Sequence, residues 1–103
     1  MNSRVLTREE LKAAIQALLI KYHADSAILF GSYARQEADS ISDIDVVIIG
    51  GSAFEPTDVF SIADDLHRMT QKEVDVYELC EIDQKSDFYR NILREGVHIL
   101  MLG

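Results

Sequence analysis

Two aspartates stand at the start of the most apolar stretch of this sequence. Asp43 and Asp45 are separated by one residue, and the run VVII follows at positions 46–49. Alternate residues of a strand point to the same face and lie about 6–7 Å apart, so these carboxylates repel each other by roughly 2–3 kcal/mol at an effective dielectric near 20. A fold tolerates this repulsion if a cation is usually bound there. Mg²⁺ is the natural candidate, because it binds through one or two carboxylates together with substrate phosphates.

A Gly-Ser pair comes before the aspartates, with ten residues between Ser32 and Asp43. Gly31 ends an apolar run, and residues 32–38 are expected to form a short helical turn whose backbone N–H groups point outward as an anion cradle. Glycine lets a phosphate approach the backbone closely, and the Ser32 hydroxyl can donate a further hydrogen bond. A pair of metal ions on one side and N–H donors on the other would clamp a triphosphate, as phosphoryl or nucleotidyl transfer requires.

A third carboxylate is expected from a neighbouring strand. Asp75, framed by Val74 and Val76 in the segment EVDVYEL, is the best candidate. Glu73 shares the face of Asp75, and Glu78 is a less favoured candidate. An isolated D-x-D is common at turns and strand ends, whereas the whole combination of Gly-Ser, D-x-D and a later strand carboxylate is specific.

The positions of apolar residues predict the elements that would hold these groups. The expected elements are a helix capped by Thr7, strands over 27–30, 45–49, 73–79 and 97–102, a helix over 57–71 and a third helix with Gly96 at its C′ position. Unbroken apolar character over 45–49 indicates a central strand covered on both faces. The fold class is therefore α/β (α+β), with one small mixed β-sheet and helices packed on it in a single domain over residues 1–103.

The same patterns predict which side chains are inside. The inward residues are Val59, Ile62, Ala63, Leu66 and Met69 on the second helix and Phe88, Ile92 and Leu93 on the third. Cys80 is expected to be a small buried hydrophobe, Asp64 and Asp65 to belong to a solvated helix face, and Tyr77 to pack.

Charge and composition narrow the function classes. Eighteen acidic residues against ten basic ones give a formal net charge of −8, which disfavours direct binding of nucleic acid or of an anionic membrane. The single cysteine excludes an internal disulfide and suits a reducing compartment. Neither a signal peptide nor a membrane span is expected, so the sequence predicts a cytoplasmic protein.

The segment GSYARQEADSISDIDVVI resembles the signature of the minimal nucleotidyltransferases (MNT domains) of the DNA polymerase β superfamily. The likeness extends to EVDVYEL and to the closing NILREGVHIL. It implies that Gly31 and Ser32 contact nucleotide phosphates, that Asp43, Asp45 and Asp75 are Mg²⁺ ligands, with Asp43 and Asp45 catalytic, and that the last aspartate has a base-like role toward the attacking hydroxyl. Many relatives have glycine where this chain has Gln36, so the shape of this turn is in question.

The resemblance also implies a biological role. Stand-alone MNT proteins of this type resemble antitoxins that pair with all-helical HEPN toxins. Such antitoxins transfer AMP from ATP to a tyrosine of the toxin. The acceptor is then expected to come from this partner or from a dimer, in a homo- or hetero-oligomer. Two alternatives stay open: a non-catalytic module that blocks the partner sterically, and a small-molecule nucleotidyltransferase, which would need a further domain to hold its acceptor.

Overall fold

The computed structural model describes residues 6–39 and 41–101. Its elements are helix α1 (Arg8–Tyr22), strands β1 (Ser26–Phe30) and β2 (Ile44–Ile49), helix α2 (Asp58–Thr70), strand β3 (Val74–Glu78), a 3₁₀ turn (Leu79–Glu81), helix α3 (Asp87–Glu95) and strand β4 (Val97–Leu100). The predicted succession of helices and strands is confirmed, except around 32–38, where no helix forms. Leu102, the expected end of the last strand, lies outside the described residues.

The four strands form one mixed sheet in the order β3-β2-β1-β4. β2 runs parallel to β3, whereas β1 is antiparallel to both of its neighbours. The mixed sheet predicted from the sequence is therefore confirmed, and β2 is central, as its unbroken apolar character indicated. The register pairs Asp45 with Phe30 on one side and with Asp75 on the other.

Each face of the sheet is covered by different helices. α1 and α2 pack on one face, where Leu19, Val46 and Leu66 belong to the main core. On the other face, Ile92 of α3 packs on Ile28 and Val47. Because side chains alternate along a strand, Asp45 lies on the α3 face while its neighbours Ile44 and Val46 enter the main core.

Several side chains differ from their predicted burial. Met69 and Leu93 are 54% and 48% exposed, because α2 turns its Val59-Ile62-Leu66 stripe inward and the nine-residue α3 buries Ile92 alone. Cys80 is exposed, since it lies in the 3₁₀ turn beyond the edge strand.

Asp65 was predicted to be solvated and is buried instead. Its carboxylate accepts hydrogen bonds from Lys21 Nζ at 2.9 Å, the Tyr22 hydroxyl at 2.6 Å and Arg68 Nη2 at 2.6 Å. These three partners draw Asp65 into the contact between α1 and α2, and they hold its pKa well below the ordinary range.

Two smaller features define the ends of the helices. The capping box predicted at Thr7 is present, with Glu10 N donating to Thr7 Oγ1 and Thr7 N donating to Glu10 Oε1. Gly96 follows α3 in an extended conformation (φ −70°) rather than the left-handed one expected of a C′ glycine. Glycine is needed there for space, because an added Cβ would lie 2.2 Å from Ile28 Cγ2. Among the described residues, no helix is long and apolar enough to cross a membrane.

Candidate active site

Two of the predicted carboxylates lie side by side on the open part of the α3 face. Asp45 on β2 and Asp75 on β3 are directly paired in the parallel register, and neighbouring strands lie about 4.8 Å apart. Asp45 is half-buried and Asp75 is exposed at the edge strand. The register thus brings together two groups that are thirty positions apart in the chain.

The electrostatics of Asp45 show that its negative charge is costly in this place. Burial raises its pKa above the ordinary value, and the charges of Asp75 and Asp43 raise it further. A hydrogen bond with the Asp75 carboxyl acts in the same direction, while the positive charge of Arg35 opposes the shift. A carboxylate held under these conditions favours a bound cation or a proton.

Asp43 stands at the rim of this pair. It precedes the first residue of β2 and is exposed, and its charge is close enough to act on Asp45. Over residues 6–39 and 41–101, no group of three or more His, Cys, Asp or Glu side chains is arranged to hold a metal ion. The fixed part of the site is therefore the Asp45–Asp75 pair, with Asp43 beside it.

Gly31 joins the Gly-Ser turn to the acidic pair. It follows β1 with φ +75°, and an added Cβ would lie 2.6 Å from Asp45 Oδ2. Any side chain at this position would collide with the carboxylate, and the left-handed conformation itself favours glycine. The space beside Gly31 is therefore filled by the Asp45 carboxylate, and the phosphate contact expected of Gly31 stays a prediction.

The segment after Gly31 is a hydrogen-bonded turn over residues 31–36, and the predicted helical turn over 32–38 was wrong. Arg35 N donates to Gly31 O at 3.1 Å, and Glu37 N donates to Ser32 O at 2.8 Å. Within the described residues, the N–H groups of positions 32–34 donate to no backbone carbonyl. These amides therefore have no backbone partner among the described residues, and the anion cradle expected here stays a prediction.

Gln36 ends this turn with φ +59°, a conformation that L side chains rarely adopt. The sequence had raised the question because many relatives have glycine here, and the turn does keep the conformation that glycine favours. Gln36 therefore carries the strain, on the order of 1–2 kcal/mol.

Glu78 and Glu73, the other candidates for the third carboxylate, lie in different surroundings. Glu78 is buried on the face opposite Asp75 and accepts a hydrogen bond from the Cys80 thiol, so it does not belong to the site. Glu73 is exposed just before β3, and its carbonyl accepts from Ile44 N at 2.9 Å.

Three aromatic residues border the acids, and one of them, Phe88 on α3, was predicted to face inward but is 40% exposed. The rings of Phe30, Tyr77 and Phe88 form a cluster with centroid distances of 5.4–6.1 Å. Tyr77 was predicted only to pack, and it is 39% exposed. The available signal was its position two residues after Asp75, which puts both side chains on one face.

Comparison with known proteins shows the family of this chain. The family model described as polymerase beta, nucleotidyltransferase matches residues 13–101. A protein of Methanocaldococcus jannaschii, provisionally named a protein adenylyltransferase, is 37% identical over 67 residues, which cover 65% of this chain and 72% of the relative.

Solved structures share the fold at lower sequence identity. A minimal nucleotidyltransferase structure has a TM-score of 0.71 at 22% identity, covering 89% of this chain and 95% of the other. A toxin–antitoxin structure with AMP-PNP has a TM-score of 0.74 at 19% identity, covering 88% and 73%. A structure of a tri-AMPylated Shewanella oneidensis HEPN toxin in complex with an MNT antitoxin has a TM-score of 0.59 at 16% identity, covering 88% and 73%. With its family model matched over most of its length, this chain belongs to the polymerase β nucleotidyltransferase family and is a nucleotidyltransferase.

Proposed function

We propose that this nucleotidyltransferase uses Mg²⁺ to move AMP from ATP to a tyrosine hydroxyl of an all-helical HEPN toxin, and that it acts as the antitoxin of that pair. The observation that carries the proposal is the facing pair Asp45 and Asp75, with Gly31 in contact with Asp45. This arrangement supports a site where a cation–triphosphate complex lies between carboxylates and a phosphate-binding turn.

The carboxylates fit Mg²⁺ by their chemistry. Mg²⁺ takes oxygen ligands and is usually held by one or two protein carboxylates and the phosphates of the substrate. Asp45 and Asp75 would supply the fixed ligands and Asp43 a further one from the rim. The raised pKa of Asp45 supports this role, because a cation would relieve the crowding of negative charge that raises it. When bound, two such ions would neutralise phosphate charge and orient the reacting oxygens.

The remaining groups of the chain position the triphosphate. The free N–H groups at positions 32–34 and the Ser32 hydroxyl donate to phosphate oxygens, and Arg35 adds a positive charge at the same turn. Asp75 lies on the outer side of the pair, at an edge strand, where an acceptor from another protein can approach.

In the transfer step, the acceptor oxygen forms a bond to the α-phosphorus of ATP. The bond from that phosphorus to the oxygen bridging to the β-phosphate breaks, and pyrophosphate leaves with the electron pair. The acceptor proton passes to the Asp75 carboxylate. These chain groups act through position and charge, which are the main contributions in reactions of this class.

AMP as the transferred group and a HEPN toxin as the acceptor are supported by the names of the relatives. The M. jannaschii relative is named for protein adenylylation, one structural neighbour contains AMP-PNP, and another pairs an AMPylated HEPN toxin with an MNT antitoxin. Retention of all three aspartates supports an enzyme rather than a steric blocker.

Labelled ATP tests the chemistry. The chain is mixed with an all-helical HEPN protein from the same organism, Mg²⁺, and ATP labelled at either the α- or the γ-phosphate. Label from the α-phosphate should appear on the partner and be removed from a tyrosine by phosphodiesterase, while label from the γ-phosphate should leave as pyrophosphate. Transfer of the γ-label would mean a kinase, and transfer of neither label would contradict the proposal.

A further inference from the structure

The aromatic cluster made of Phe30, Tyr77 and Phe88 lies beside the acidic pair. Phe88 of α3 contacts the other two rings edge to face, with centroid distances of 5.4 Å to Phe30 and 5.5 Å to Tyr77. Two of these rings remain open to solvent, since Phe88 is 40% and Tyr77 39% exposed. Half-exposed rings of this size leave an apolar surface that a flat ligand can cover.

The strand register ties this cluster to the site. Phe30 is the direct cross-strand partner of Asp45, and Tyr77 lies two residues beyond Asp75 on the same face of the sheet. Phe30 is therefore immediately beside Asp45, and Tyr77 lies about 7 Å from Asp75 along β3. A ligand held at the acids has this surface as its immediate neighbour on the α3 face.

A cavity connects the same rings to the phosphate-binding turn. It measures about 250 Å³ and is lined by Phe30 and Phe88 from the cluster, Gly31 and Arg35 from the turn, and Asn91, Ile92 and Glu95 from α3. One end of this cavity offers a backbone turn and Arg35, and the other offers aromatic rings. The Arg35 guanidinium pairs with Glu37 at 2.8 Å and with Glu95 at 3.8 Å, so a phosphate bound at this end would take the place of Glu95 beside it. A nucleotide has the same division, with anionic phosphates at one end and a planar base at the other.

We infer that the nucleobase of the substrate stacks on the ring of Phe88, with the ring of Tyr77, inclined by 72° to it, against the edge of the base. The inference rests on the proposed function for the identity of the ligand, and it adds the residues that hold its base. Stacking on a phenyl ring needs no hydrogen-bonding code, because every base has a π-face. Phe88 would therefore set the affinity for a nucleoside triphosphate over its bare phosphate chain.

Two ligands separate the base from the phosphates in the test. Binding of ATP and of inorganic tripolyphosphate, both with Mg²⁺, is measured by titration calorimetry on the full chain. Wild type should bind ATP more tightly than tripolyphosphate. Phe88→Ala should weaken ATP binding by about 5- to 150-fold and change tripolyphosphate binding less than about twofold.

Further variants address a structural explanation. Phe88→Trp and Tyr77→Phe keep an aromatic ring and should keep ATP affinity, whereas Tyr77→Leu should reduce it. Leu93→Ala is the matched control, because Leu93 is exposed on the same helix but lies outside the cluster and the cavity. If Phe88→Ala and Phe88→Trp both lost the binding of ATP and of tripolyphosphate, Phe88 would act only through the fold.

The remaining outcomes each reject something specific. Unchanged ATP affinity in Phe88→Ala would overturn the inference. A Phe88→Ala variant in which only the KM for the protein acceptor is raised would also overturn it, because the rings would then bind the acceptor tyrosine. If wild type bound neither ATP nor tripolyphosphate, the proposed function would fail, a result distinct from the failure of the stacking surface alone.

Discussion

At the scale of single residues, the central feature is the position of Asp45 within a strand. Its carboxylate is half-buried, faces Asp75 across the parallel pair and has Gly31 against its other side. A neutral or apolar side chain would avoid the repulsion that raises the pKa of Asp45. The acid is therefore expected to serve function at the expense of stability.

Asp45→Asn tests this expectation in thermal unfolding. In EDTA the variant should melt at or above the wild-type temperature, with a stability higher by about 1 kcal/mol, because one of the repelling charges is gone. Mg²⁺ with ATP should raise the melting temperature of wild type and leave that of the variant nearly unchanged. Asp87→Asn, a change of an exposed aspartate on α3, is the control. A variant much less stable than wild type in EDTA would mean that Asp45 is structural.

The sequence was sufficient to single out the acids, and insufficient to place them. D-x-D before an apolar run marks Asp43 and Asp45 by spacing alone. Their relation to Asp75 depends on which strands pair and in which register, and the contact of Gly31 with Asp45 depends on the antiparallel pairing of β1 with β2. The departure at Gln36 did predict a feature of the backbone. Because glycine favours positive φ, its usual presence at this position pointed to the left-handed conformation that Gln36 adopts.

At the scale of elements, α1 and α2 are joined by a polar contact as well as by the core. Asp65 of α2 accepts hydrogen bonds from Lys21 and Tyr22 of α1 and from Arg68 one turn further along α2. The three donors stabilise the ionised carboxylate and lower its pKa. This contact fixes the two helices against the face of the sheet that lies behind the site.

Asp65→Asn should destabilise the fold by about 1–3 kcal/mol at neutral pH, because it removes the acceptor of several charge-assisted hydrogen bonds. A lowered pKa contributes stability above the ordinary aspartate value near 3.9 and loses it as the pH falls. The difference in unfolding free energy between wild type and variant should therefore shrink as the pH is lowered below about 4.

Denaturant titrations across this range provide the measurement. Asp64→Asn is a close control, since Asp64 also pairs with Arg68 but is exposed, and it should change stability by less than about 0.5 kcal/mol. Equal effects of the two substitutions, or a difference independent of pH, would show that the buried contact does not act as described.

The order of elements was predictable from periodicity, while some of their inner faces were not. The α2 stripe continues to Met69 by spacing, yet the chain turns away after Thr70 and leaves that side chain exposed. The burial of Asp65 was not predicted for a related reason, since two of its three partners, Lys21 and Tyr22, come from another helix. The turn over residues 31–36 was taken for a helix because short turns and single helical turns share local patterns.

At the scale of the whole molecule, the two faces of the sheet have different tasks. α1 and α2 close one face with the main core, while α3 covers only part of the other. The acids and the aromatic cluster lie on this partly covered face, and Gly31 and Arg35 of the turn line a cavity beside α3. With a net charge of −8, the molecule as a whole repels a triphosphate, so the proposed binding would require a cation and the local donors of the turn.

The most direct test of the account is the mass of the helical partner protein after incubation with ATP, Mg²⁺ and variants of this chain. Wild type should add to the partner the mass of one adenylyl group, which is AMP less one water. Asp43→Asn, Asp45→Asn and Asp75→Asn should each slow the addition by more than the roughly 10- to 100-fold that loss of an outer-shell partner of a metal costs, while Glu73→Gln, two residues before Asp75, should add AMP at nearly the wild-type rate. Undiminished addition of AMP by Asp45→Asn or Asp75→Asn would contradict the claim that this pair holds the cation and the triphosphate.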